Sequence, residues 1–379
     1  MKSTTFTFKE DAWQGLTDTA ANMPDAELIL VFADRMLLEK NELNKYLQSS
    51  FPKANIISCS TAGEVYYQKL QQSSAVCVAI HFDQTPFSIQ SGNIKDFQNS
   101  YLLGKQVASQ LTQEGLRYIM IISDGNIING DDLLQGIKEV VPPTVLISGG
   151  MAGDGDRFQQ TLLGHNNQIA EGNLVLLGLY GDHIQVGTGI HGGWEMFGPE
   201  RTVTRSAGNL LFEIDEVNAL DLYKKYLGKY ADELPSSALL FPIALMINND
   251  QSYLVRTILS VDDQNKSMTF AGNIPQGSTI RFMKSNFDRL VSAAAEAGME
   301  AHSNLQEQTP DLTLIVSCVG RKIVLSHRID EELEAATDRL PAQSPVVGFY
   351  SYGEFAPLKE NPESYLHNQT MVVTSFSER

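Results

Sequence analysis

Apolar and polar positions along this chain follow a pattern that recurs. From Leu28 the run "LILVFAD" is apolar up to Asp34, "NELNKYLQSS" places Leu43, Tyr46 and Leu47 at helical spacing, and "ANIISCSTAGEV" is apolar until it breaks at Ala62, Gly63 and Glu64. This predicts a strand, a helix, a second strand and then a turn of glycine and acid. A second copy begins at Tyr118. There "YIMIISDG" ends in Asp124, "DDLLQGIKEVV" puts Leu133, Ile137 and Val140 on one face, and "TVLISGGMAGDG" breaks at Ala152, Gly153 and Asp154. Asp34 to Glu64 and Asp124 to Asp154 are both 30 residues. A third copy runs from "LTLIVSCVGR" through "RIDEELEAATDRL" to "SPVVGFYSYGEF", ending in Gly353 and Glu354. Cys318 to Glu354 is 36 residues, which predicts a longer loop at "KIVLSHR".

Each copy is followed by a further apolar segment: "SSAVCVAIHF", "GNLVLLGLYGDHIQVGTGI" and "HNQTMVVTSF". These read as additional strands, some alternating as half-buried antiparallel strands do, so mixed sheets covered by helices are expected. Between the second and third copies lie a short amphipathic helix in "NALDLYKKYLG" and a meander of strands from "FPIALMI" to "STIRFM". An alanine-rich helix follows in "SNFDRLVSAAAEAGMEAHS". A chain of 379 residues suits two domains. The expected fold is mixed α/β (α+β), in two related domains of residues 1–205 and 206–379, with the boundary just after "HGGWEMFGPE".

Charge narrows the partners. Lysine and arginine number 28 against 45 acids, a net charge of −17, with no basic cluster to neutralise a row of phosphates, so nucleic acid and anionic membrane are not expected partners. The N-terminus lacks the apolar core of a signal peptide, and the longest apolar runs, such as "LVLLGLY", are too short to span a bilayer. No membrane insertion and a cytoplasmic location follow as expectations. Cys59, Cys77 and Cys318 are too few and too scattered for a disulfide framework.

Ligands in open α/β sheets sit beyond the carboxyl ends of strands, where Glu64, Asp154 and Glu354 all fall. Two readings stand beside each other. These carboxylates grip an ammonium or hydroxyl group of a small ligand, or they accept hydrogen bonds from turn amides or pair with an arginine. The third copy stands out because Tyr350, Tyr352 and Phe355 flank Gly353 and Glu354, apolar faces around one charge that suit a small cation or zwitterion. Arg321 in "SCVGR" either forks onto a ligand carboxylate or pairs with Glu354, and Cys318 is either a reactive thiol or a buried one. His367 and Asn368 open "HNQT" and approach the same turn or serve a turn of their own. No zinc-type spacing of histidines occurs, although spacing does not exclude a haem, which needs one axial histidine. "GTGIHGG" matches GxGxxG but is not followed by a helical pattern, so a dinucleotide site is rejected. Nothing demands an activated nucleophile, and an enzyme is not expected.

The motifs together resemble the FIST family. "CSTAGEV", "SGGMAGDG" and "GGWEMFGPERTVTRSAGNLLFEIDEVNALDLY" are similar to its N domain and exit, and "YLVRTIL", "SCVGR", "GFYSYGEFAP" and "HNQT" to its C domain. The resemblance implies an intracellular sensory module that binds a small ligand, such as an amino acid or related metabolite, and signals through a partner protein in trans. Some members carry haem and respond to nitric oxide, which leaves a haem sensor as one alternative and a ligand-free interaction scaffold as another.

Overall fold

The computed structural model describes residues 1–234, 236–247, 252–341, 344–358 and 361–379. Its three repeats are three units of one design. In each, two parallel strands are joined through a helix and flanked by an antiparallel third: Leu28–Ala33, Asn55–Ser60 and Ala75–His81 in unit 1; Leu116–Ser123, Leu146–Met151 and Asn173–Tyr180 in unit 2; Leu312–Cys318, Val346–Ser351 and Met371–Glu378 in unit 3. The first strands are buried at nearly every residue, and because successive strand side chains point to opposite faces, alternate residues enter different cores. Leu28, Leu30 and Phe32, with their counterparts Tyr118, Met120, Ile122 and Leu312, Leu314, Val316, meet in one shared core. The opposite faces carry the helices, among them Glu42–Ser50, Gly130–Val140 and Ile329–Thr337.

No unit completes its own sheet. The hairpin that follows each second strand leaves its unit and adds to the second strand of another. Glu64–Tyr66 pairs with Val346–Ser351, Leu163–His165 with Asn55–Ser60, and Gly353–Leu358 with Leu146–Met151. The outer strands are exchanged in the opposite cyclic sense: Phe87–Asn93, which follows unit 1, joins unit 2, Ile184–His191, which follows unit 2, joins unit 3, and Lys2–Lys9 covers unit 1. The mixed sheets covered by helices are therefore as expected, built from the recurring strand-helix-strand unit.

One segment stands outside this scheme. In units 1 and 2 the outer strand leads within a few residues into a helix, through the short strand Ala12–Gln14 to Leu16–Asn22 or through a 3-10 turn at Ile94–Asp96 to Ser100–Ala108. Before unit 3 the same link, from Ile184–His191 to Phe287–Asn304, is opened by an insertion that begins with the long strand Glu195–Ala207 and returns through Thr279–Lys284. It contains the expected meander and the expected helix, at Ala219–Leu227, around a core of its own. "KIVLSHR", expected as a loop, is instead helical: the helix Val319–Leu325 continues into a 3-10 turn at Ser326–Arg328.

Candidate functional site

The three glycine-acid turns, far apart in sequence, meet in a ring. Ala62 N donates to the Tyr350 carbonyl at 2.8 Å, Gly153 N to Ser60 at 2.9 Å, and Tyr352 N to Met151 at 3.2 Å. The sheet registers make Ala62, Gly153 and Tyr352 equivalent positions, and likewise Ser60, Met151 and Tyr350. By the same registers Glu64 and Glu354 are counterparts, whereas Asp154 falls opposite Gly63, one place earlier. Equal spacing of 30 residues had aligned Asp154 with Glu64. One additional residue between the two strands of unit 2 shifts the acid by one position.

That shift changes its chemistry. Asp154 is fully buried, with Oδ1 taken by Arg35 Nε at 2.9 Å and Arg157 Nε at 2.6 Å, and Oδ2 by the Gln160 amide at 3.3 Å. Glu354 is enclosed as well. Ser351 Oγ donates to it at 2.6 Å and Thr370 Oγ1 at 2.9 Å, and burial, against these hydrogen bonds, pushes its pKa up to about 8. Its aromatic neighbours do not line an opening. Tyr350 and Phe355 are core residues, and Tyr352, beside buried Gly353, stacks on Phe158 with its hydroxyl on the Gly155 carbonyl.

The Arg321–Glu354 pair, one of the two alternatives for Arg321, is not formed. Arg321 is fully buried and faces Glu332, with Nε to Oε1 at 2.6 Å, while its other nitrogens hold the Gly192 carbonyl at 2.6 Å and that of Leu290 at 2.8 Å. Every arm of the guanidinium is thus occupied within the protein. Cys318 is buried and its thiol pKa is raised by burial, the opposite of an activated thiol. His367 Nε2 bonds the Ala356 carbonyl at 3.0 Å and burial holds its pKa down to about 3, so the neutral ring donates there. Asn368 Nδ2 donates to the His367 carbonyl at 2.9 Å.

The turn of unit 1 is different, because it borders an open cleft of about 470 Å³. Gly63 has φ of +139°, and a Cβ there would come within 2.8 Å of Leu70 and 3.3 Å of Lys322 Nζ, so only glycine leaves this wall open. Glu64 lies beneath, accepting from Thr61 Oγ1 at 2.6 Å and Ser74 Oγ at 2.7 Å, and burial pushes its pKa up to about 7. Unit 2 contributes Asp156 and Arg157, unit 3 contributes Lys322, and Asp34 follows the first strand of unit 1 and caps the helix Arg35–Glu39. Lys322 Nζ donates to the Ala62 carbonyl, and burial lowers its pKa against the attraction of Glu64, Asp156 and Asp34. The cleft therefore presents two cations and a set of carboxylates within reach of one small molecule. Lys322, Arg157, Thr61 and Ser74 escaped the sequence reading. The available signal was the basic residue directly after Arg321, and the hydroxyl three places before each of Glu64 and Glu354. Among the described residues the cleft lining includes no histidine and is mostly polar, so it does not fit a haem.

Comparison with known proteins gives a consistent family assignment. The sequence matches the FIST N domain over residues 27–217 and the FIST C domain over residues 219–357. No curated protein matches it. A crystal structure of cyanuric acid hydrolase from A. caulinodans is similar at 8% identity and a TM-score of 0.40, covering 100% of this chain and 99% of that one. That likeness is too remote to transfer an activity. Among the described residues no helix is long and apolar enough to cross a membrane.

Proposed function

The chain belongs to the FIST family of sensory, signal-transduction domains, and on that premise we propose that it senses a small charged metabolite in the unit 1 cleft and signals to a partner protein. The observation that carries this reading is the contrast among the three turns. Asp154 is consumed by two arginines and Glu354 is enclosed, while Glu64 lies under an open cleft lined by both signs of charge.

An amino acid or related metabolite suits that lining. Its carboxylate would take the unused donors of Lys322 and Arg157, and its ammonium would face Asp34 and Asp156. Binding of this kind needs no bond to be made or broken, and the protein acts here as a receptor and not as an enzyme. The unpaired thiols of Cys59, Cys77 and Cys318 suit a reducing cytoplasm. The polar, histidine-free lining favours this ligand class over haem.

A thermal-shift screen of amino acids and their amine and acid relatives tests the reading. A true ligand at a hundredfold excess over its Kd should stabilise the protein by about 2.7 kcal/mol. Lys322→Met should abolish that shift. A screen in which no compound moves the melting temperature, or in which Lys322→Met responds like the parent, would sink it.

A further inference from the structure

The helix Val319–Leu325 has two working faces. Val319, Lys322, Ile323 and Ser326, spaced as one side of a helix and its continuation, line the cleft. Arg321 and Leu325, one turn apart, point the other way. Arg321 holds the carbonyls of Gly192 and Leu290, which flank the chain's entry into the insertion and its exit. Leu325 packs in a cluster with Trp194, Ala244, Val255, Met283 and Leu290, four of them on the insertion or its entry.

We infer that this helix is a relay coupling the cleft to the insertion, with Lys322 as its input and Arg321 as its output. The inference rests on the reading that a ligand occupies the cleft. Lys322 grips the Ala62 carbonyl, Ala62 N bonds the Tyr350 carbonyl, Tyr350 Oη donates to Glu332 Oε2 at 3.0 Å, and Glu332 pairs with Arg321. The circuit closes on adjacent residues of one short helix. An anionic group in the cleft competes with the Ala62 carbonyl for the ammonium. It thereby favours a second setting of the helix in which Arg321 carries both connectors with it, to the extent that the ligand binds that setting more tightly. The insertion, reoriented at its base, is then the surface offered to a partner.

Trp194 lies at this base, buried, with its indole N–H on the Gln369 carbonyl at 2.9 Å, and the other tryptophan, Trp13, is removed by Trp13→Phe. In the full chain carrying that change, Lys322→Met should shift Trp194 emission and raise its quenching by acrylamide roughly twofold as the packing over it loosens. Lys322→Arg should restore the parent signal. Arg157→Gln, which removes a cleft cation that is not on the helix, should leave Trp194 unmoved. Circular-dichroism melts confirm that each variant is folded, and Lys322→Gln replaces Lys322→Met if the latter is not. An unchanged Trp194 in the folded Lys322 variant, or an equal change in Arg157→Gln, overturns the relay. Because no ligand is added, the relay can stand while the metabolite screen fails, or fail while a ligand is found.

Discussion

Glu64 and Glu354 occupy the same position in two units and are held in the same way. Each carboxylate accepts a 2.6 Å hydrogen bond from the hydroxyl three residues before it, Thr61 or Ser351, and another from the hydroxyl just before the third strand of its unit, Ser74 or Thr370. Burial raises both pKa values from 4.5, to about 7 and about 8.

The folded protein therefore binds these protons more tightly than the unfolded chain. The stability they contribute is complete below pH 4.5 and is lost as pH rises through about 7 for Glu64 and about 8 for Glu354. Glu354→Gln keeps the shape and cannot ionise. Its melting temperature should fall less steeply than the parent's across that window, measured as melts in a pH series. Parallel curves would refute the assignment.

The buried pair of Arg321 and Glu332 makes a different kind of demand. Glu332→Gln strands a fully buried guanidinium and should cost about 3–5 kcal/mol in urea unfolding. Arg321→Met with Glu332→Leu should cost less than the two single changes added together, since the pair is removed as a unit. Additive losses would mean that the two side chains do not act together.

On its other side the insertion is latched by Arg256. That side chain binds both oxygens of Asp131 at 3.0 Å and the Leu366 carbonyl at 2.9 Å. Arg256→Met should destabilise the protein by about 2–3 kcal/mol, because it takes the guanidinium from the Leu366 carbonyl and from Asp131, which keeps the Asn273 N–H at 2.6 Å. Hydrogen exchange should rise in residues 252–256 and 366–370 and hold steady in Leu28–Ala33. Uniform acceleration across the chain would show that the loss is global and not a released latch.

Thiol chemistry offers a quick check on the cores. Cys59, Cys77 and Cys318 are all buried with raised pKa values, so an aromatic disulfide reagent should find no reactive thiol in the native protein and all three after denaturation. Rapid modification of Cys318 in the native state would mean that the region around Glu354 opens.

The repeat and its elements were legible because period 2 and period 3.6 are local properties of the chain. The exchange of hairpins was not, since nothing in "GEVYYQKLQ" specifies whether its partner is its own unit or the third. The fate of Arg321 was hidden for a related reason. Its counter-charge, Glu332, lies on a helix 11 residues on and looks in sequence like one of several solvent-facing acids in "DEELEAA". Glu354 carried the richest local signature of rings and charge. Those rings fill the core and its edge, and the open cleft formed where small residues, Ala62 and Gly63, leave room beside Lys322. What bulk announces in a sequence is often packing, and a binding site depends as much on what is missing.

The traded hairpins also set the order in which this protein can come into being. Val65 finds its partner only when Gly348 has been made, and Gly149 waits for Phe355. A chain emerging from the ribosome must therefore keep the hairpin that follows unit 1 and the second-strand edge of unit 2 unpaired until unit 3 has been made. Refolding should show the slow kinetics of distant pairings, and truncation within unit 3 should leave the edge of Leu146–Met151 and the hairpin at Glu64–Tyr66 exposed and prone to aggregate.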